Sequence, residues 1–142
     1  MADSDPGPWQ SSAMADFPLR GRRGGISRPG ENLSLMTWPV TGAMVLSLGG
    51  ELDLATMPRL IERVRSLVEQ GHVHIVLDLG HLEFCDCTGL RALLRAREIA
   101  AEAGGWARLS RVGAMTRHII ALTGLRDALV CYDSAAIAVA GS

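Results

Sequence analysis

Lysine is missing altogether. All fourteen basic residues of the 142 are arginine, set against fifteen acids for a formal net charge of -1. No lysine exists to form a Schiff base or to serve as the phosphate lysine of a P-loop. The near-neutral balance gives no general attraction to nucleic acid or to an anionic membrane. Long apolar runs are missing too: none approaches the ~18–20 residues that span a bilayer, so no membrane insertion is expected. Met1 to Ser12 is polar and lacks the apolar centre of a secretory signal. Cysteine is scarce. Cys85, Cys87 and Cys131 are an odd set, and the first two are too close to make a useful staple. They read as reduced thiols of a cytoplasmic protein rather than a disulfide framework.

Enzymatic constellations are absent as well. No Ser–His–Asp order, glycine-rich phosphate loop or paired catalytic carboxylates can be assembled, and no enzyme is expected. His81, Cys85 and Cys87 lack the spacing of a zinc site and read as connector residues under a helix. His72 and His74 share a strand face near solvent, and His118 reads as a surface helix residue. Neither a metal nor a cofactor is expected.

Met1 to about Glu31 reads as a flexible tail, rich in Pro, Gly and Ser, with isolated Trp9 and Phe17 and a basic cluster at Arg20, Arg22 and Arg23. The folded domain is expected over residues 32–142. Leu33 to Trp38 alternates as a strand, Thr41-Gly42 marks a turn, and Ala43 to Leu48 reads as the second strand of a hairpin, ended by Gly49-Gly50. Thr56 is expected to cap a helix with Pro58 in its first turn. In that helix Met57, Leu60, Ile61, Val64, Leu67 and Val68 line one face, and Gly71 stops it.

Val73 to Leu79 is almost continuously apolar, as in a strand buried on both faces, with Asp78 expected near the strand end at the sheet edge. Gly80 to Cys85 reads as a connector. The next helix carries Leu90, Leu93, Leu94 and Ala100 on one side and Arg91, Arg95, Glu98 and Glu102 on the other, ending at Gly104-Gly105. Trp106 to Val112 reads as a weaker strand, Met115 to Thr123 as a helix closed by Gly124, and Ala128 to Tyr132 as a short strand. Asp133 and Ser134 are placed to cap a last helix ending near Ala140. The order ββαβαβαβα predicts an α/β fold: a mixed sheet of about five strands covered by about four helices.

The strongest chemical signal is the helix start at Asp86-Cys87-Thr88-Gly89. Asp86 is the expected cap, and small residues there predict uncovered first amides that favour an anion.

At these residues the sequence resembles the STAS domain, and within it the bacterial anti-sigma factor antagonists. Val76-Leu77-Asp78-Leu79, Phe84, Asp86-Cys87-Thr88-Gly89-Leu90 and Leu93-Leu94 look like the core motif. Gly50-Glu51-Leu52-Asp53, with Thr56 and Pro58, matches an earlier motif, and Leu122-Thr123-Gly124-Leu125 a later one. The resemblance spans roughly Leu33 to Ala140. It implies a STAS-like fold and partner switching, in which the antagonist binds an anti-sigma factor, usually a serine-protein kinase, and frees a sigma factor. Phosphorylation of the residue after the motif aspartate ejects the antagonist, and a phosphatase reverses it. The alternatives are a STAS subunit of a phospholipid-transport or stress-sensing complex, or a thiol-based redox sensor.

The resemblance places the switch at Cys87, where the family has serine. Three readings stand open: Cys87 fills the serine's space in a constitutive or differently regulated antagonist, Thr88 is phosphorylated instead, or Cys87 is an oxidisable switch. The expected partner surface comprises Glu51, Asp53, Asp86, Cys87, Thr88, Gly89, Arg91 and Arg95.

Overall fold

The computed structural model describes residues 32–141; the expected tail, and with it the domain boundary, lies outside the described residues. Strand β1, Leu33–Val40, turns at Thr41-Gly42 into β2, Ala43–Leu52, and the two pair antiparallel from Val40↔Ala43 to Leu33↔Gly50. Gly42 carries φ +90, the left-handed conformation that a tight hairpin asks of glycine. Helix α1, Met57–Glu69, carries the chain back to β3, His74–Cys85, which lies parallel to β2. Helix α2, Cys87–Glu102, leads to β4, Trp106–Ser110, parallel to β3. Helix α3, Ala114–Leu122, precedes β5, Cys131–Tyr132, parallel to β4, and α4, Ala135–Ala140, ends the fold. The strands stand in chain order, β1-β2-β3-β4-β5.

Alternation within the strands assigns the two faces. Leu46, Leu48, Ile75, Leu77 and Leu109 point to the side where Leu60, Val64 and Leu67 of α1 and Leu90, Leu93 and Ile99 of α2 complete the main core. Val45 and Val76 point the other way, onto Ala135 and Ala138 of α4. Ile75, Val76 and Leu77 are all fully buried, as the unbroken apolar run implies for a strand covered on both faces.

Five sequence expectations change. Gly49-Gly50 does not end β2, and Gly80 to Cys85 is no connector. Both stretches stay in the sheet, paired Gly49↔His81, Gly50↔Leu82, Glu51↔Phe84 and Leu52↔Cys85, with register shifts between Ser47 and Gly49 and between Gly50 and Glu51. The glycines admit the irregularity that a chain with side chains would resist. Asp78 lies mid-strand and 2% exposed, not at an edge, because Arg111, Ser47 and Ser110 satisfy its carboxylate. The strand predicted to Val112 stops at Ser110, since Arg111 turns into the left-handed region at φ 52. The strand predicted from Ala128 begins only at Cys131, because Leu125 to Leu129 first closes a helical turn through Leu129 N–H to Leu125 C=O at 2.8 Å.

The helix ends follow the sequence more closely. Gly71 and Gly124 take φ +94 and +77 where α1 and α3 stop. At the second stop Leu125 N–H reaches Ile120 C=O at 3.0 Å, and the Leu125 side chain packs on the core. At α4, Ser134 alone makes the side-chain cap, accepting from Ile137 N–H at 3.1 Å; Asp133 is exposed. No helix among the described residues is long and apolar enough to cross a membrane.

Candidate functional site

The parallel order brings the ends of β2 and β3 to one edge of the sheet, beside the start of α2. Register places Asn32, Glu51 and Phe84 abreast: Glu51 N–H donates to Asn32 C=O at 2.8 Å, and Glu51 is the neighbour of Phe84.

Asp53 shapes the first loop. Its Oδ1 accepts from Ala55 N–H at 3.0 Å and Thr56 N–H at 3.1 Å. Thr56 occupies the cap position of α1, but its hydroxyl caps no helix amide. The hydroxyl donates to Glu51 C=O at 2.8 Å and accepts from Asp53 N–H at 3.0 Å, so it ties the strand end to the helix entry. The carboxylate of Asp53 holds the residues just ahead of the helix in an aspartate turn, and no side chain caps the helix amides themselves.

Asp86 starts α2. With extended backbone, φ −97 and ψ −167, it accepts Gly89 N–H on Oδ1 at 2.9 Å. Cys87, the first helical residue, is exposed, and Thr88 is half-buried. The small residues do open the helix start, but the Asp86 carboxylate already occupies part of it. An anion arriving at this helix start would meet the Asp86 carboxylate, which has claimed the Gly89 amide. Gly89 itself is buried. A Cβ there would stand 2.5 Å from the Leu52 carbonyl oxygen and 2.7 Å from Cys85 Sγ. Glycine is thus what lets α2 rest on the end of β2, and its part in the site is positional.

The two neighbouring thiols differ. Cys85 is buried under α2, and burial, reinforced by the nearby Asp86 and Cys87 charges, pushes its pKa up to about 12. Cys87 faces solvent. His81, Cys85 and Cys87 form no metal cluster, and among the described residues no group of three His, Cys, Asp or Glu is placed to hold one. His72 precedes β3, whereas His74 stacks on Trp106 with ring centres 5.0 Å apart; His118 is exposed.

The proposed arginines part company. Arg91 is exposed one turn beyond Cys87. Arg95 is committed to its own helix, with Nη1 3.0 Å from Glu98 and 3.4 Å from Glu102; the Glu98 hydrogen bond raises its pKa.

Two features escape the sequence reading. A groove of about 460 Å³ opens between the end of β3 and the start of α3, with Phe84, Cys87 and Met115 on its walls. The second is Arg111, which reaches the buried carboxylate of Asp78, with Gly80 leaving the space: a Cβ on Gly80 would lie 2.4 Å from the guanidinium carbon. The available signals were Phe84 standing apolar in a supposed connector and Gly80 directly after a buried strand.

Known proteins resemble this chain in sequence and in fold. The anti-sigma-F factor antagonist RsfB of Mycobacterium tuberculosis is 36% identical over 84 residues, 59% of this chain and 68% of its own. An anti-sigma F factor antagonist of Paenibacillus polymyxa is 27% identical over 94 residues, 66% of this chain and 80% of that protein. The crystal structure of an anti-sigma factor antagonist from Mycobacterium paratuberculosis matches with a TM-score of 0.69 at 28% identity, covering 82% of this chain and 97% of that one. The family model of the STAS domain fits residues 38–138, and with the sheet order and the Asp86 cap in place, the chain belongs to the STAS domain family.

Proposed function

We propose that this protein is an anti-sigma factor antagonist: it binds an anti-sigma factor of the serine-kinase type in the cytoplasm and thereby releases a sigma factor. The observation that carries the reading is the Asp86-capped helix start with Cys87 exposed, at the end of the sheet where Glu51 pairs with Phe84, in a chain whose relatives are named as antagonists. Glu51, Asp53, Asp86, Cys87, Thr88 and Arg91 form the partner surface, with Gly89 setting its shape and Arg95 at its margin. The function is recognition rather than catalysis. A neutral small side chain at Cys87 is compatible with burial in an interface, whereas a negative charge there costs several kcal/mol unless paired.

Cys87 fills the position of the family serine, so a serine kinase finds no hydroxyl there, and this antagonist is constitutive toward that modification. Thr88 is the adjacent hydroxyl, and a phosphatase would be required only if Thr88 accepts phosphate. Affinity capture from the native cytosol with wild type beside Cys87→Asp tests the reading. Wild type is expected to retain a kinase-type anti-sigma factor, and the aspartate variant to lose it. Equal retention by both overturns the site. Phosphate-specific mass spectrometry after incubation with that kinase and ATP is expected to leave Thr88 unlabelled; a label there overturns the constitutive reading.

A further inference from the structure

The groove between β3 and α3 is apolar on its walls and acidic on its rim. Leu79, Leu82 and Ile119 line its floor, while Phe84 and Met115 flank it at 50% and 70% exposure. Its charged lining residues are Glu83 and Asp86, both acids; Arg91 does not line it. Gly113 and Ala114 place no bulk beside Met115, so that flexible thioether is free to adapt to an incoming side chain. The groove shares Asp86 and Cys87 with the proposed partner surface and extends it toward α3.

Resting on the antagonist reading, we infer that this groove is the anchoring pocket for the anti-sigma factor, and that it takes a partner segment presenting large apolar side chains flanked by arginine or lysine. Its volume lies within the ~300–1,000 Å³ typical of pockets that bury a compact ligand. An apolar anchor seated in such a pocket is where interface energy concentrates. The two rim carboxylates select the flanking charge: a basic flank is attracted, and an acidic one meets two like charges. A second copy of this chain fits poorly, because a two-fold contact centred on this patch brings two acidic rims together. Apolar walls and acidic rim together make the groove a reader of amphipathic basic segments.

The test needs no native partner. The full chain, labelled with ¹⁵N, is titrated with a synthetic helical peptide carrying leucines at i, i+3, i+4 and i+7 between arginine flanks. The expected result is chemical-shift change concentrated at residues 82–87 and 113–119, with affinity falling as salt rises. The same peptide with glutamate flanks is expected to bind at least tenfold more weakly. Glu83→Arg is expected to narrow or invert that preference. Met115→Glu removes binding, and Phe84→Ser, an independent change on the opposite wall, weakens it. Equal binding of the two peptides, shifts elsewhere on the molecule, or unchanged affinity in both Met115→Glu and Phe84→Ser overturns the assignment. Capture with Met115→Glu separates this inference from the functional reading. An anti-sigma factor retained equally by wild type and Met115→Glu sinks the groove and spares the antagonist. Peptide binding in the groove without any captured anti-sigma factor does the reverse.

Discussion

Arg111 grips the buried carboxylate of Asp78 at two points, Nε to Oδ1 at 2.9 Å and Nη2 to Oδ2 at 2.8 Å. Ser47 and Ser110 donate to the same carboxylate at 3.2 and 3.3 Å, and Gly80 N–H at 3.3 Å. Asp78 is 2% exposed and Arg111 35%, so the pair is shielded on one side only. The Asp78 hydrogen bond keeps the guanidinium pKa above its ordinary value. Removing one partner strands a buried charge. Arg111→Met is expected to cost about 2–4 kcal/mol in urea unfolding, below the upper end for a fully buried pair. Asp78→Asn combined with Arg111→Met should recover part of that loss. A double variant no more stable than the single one would show that the pair is not the source of the effect. Because Arg111 leads through Val112 and Gly113 into α3, hydrogen exchange at the α3 start should quicken in the single variant.

Gly89→Ala separates helix propensity from packing. Alanine is the better helix former by about 1 kcal/mol. The added methyl, however, meets the Leu52 carbonyl oxygen at 2.5 Å and Cys85 Sγ at 2.7 Å, and a backbone oxygen cannot swing away. We expect net destabilisation of about 2 kcal/mol by thermal or urea unfolding, in the range for overpacking. A neutral or stabilising outcome would mean that α2 lifts off β2 freely.

Cys85 couples stability to alkaline pH. Its thiol pKa rises from an ordinary 9.0 to about 12 in the fold, led by burial. The folded state therefore holds the proton more tightly than the unfolded chain. This contribution is complete below pH 9, falls as pH climbs from 9 toward 12, and is gone above it. Wild type should lose stability across that window more steeply than Cys85→Ala, although the alanine variant starts lower because it loses buried volume. Parallel curves would refute the coupling. At neutral pH an alkylating reagent should label Cys87 well before Cys85, since only Cys87 faces solvent.

Asp86 serves two ends that one pair of substitutions can divide. Asp86→Ala removes the oxygen that accepts from Gly89 N–H and should cost about 1 kcal/mol by urea unfolding. Asp86→Asn keeps an accepting oxygen and should stay within about 0.5 kcal/mol of wild type, asparagine being an equally good cap. Both lose the rim charge, so both should slow association with an arginine-flanked peptide, as stopped-flow fluorescence would show. An asparagine variant that unfolds like alanine would contradict the cap assignment.

Local rules were readable wherever one residue type answers one backbone demand. The alternation of Leu33 to Trp38, the apolar stripe from Leu60 to Leu67, the glycine stops at Gly71 and Gly124, and the cap at Asp86 all follow from short-range physics. The long ends of β2 and β3 were not readable. Gly49-Gly50 and Gly80 carry the local signature of a break, and only pairing between the two strands keeps them in the sheet. Asp78 was misplaced for the same reason: its partner Arg111 lies thirty-three residues away, and charge alone suggested an edge. Of the site, the aspartate and the exposed thiol were visible; the groove was not, because its second wall comes from Met115 on an element whose docking no local pattern specifies.

The direction of β2 has a practical consequence. The strand ends at Leu52, beside the helix start of the site, and begins at Ala43, next to the Gly42 turn. That turn lies 3.7 Å, measured from the Cβ position of Gly42, from the Val139 side chain of α4. Gly141 and Asn32 therefore sit at opposite ends of a strand roughly 30 Å long. A fluorophore, surface tether or fusion partner attached after α4 therefore hangs on the far side of the sheet from Glu51 and the proposed partner surface.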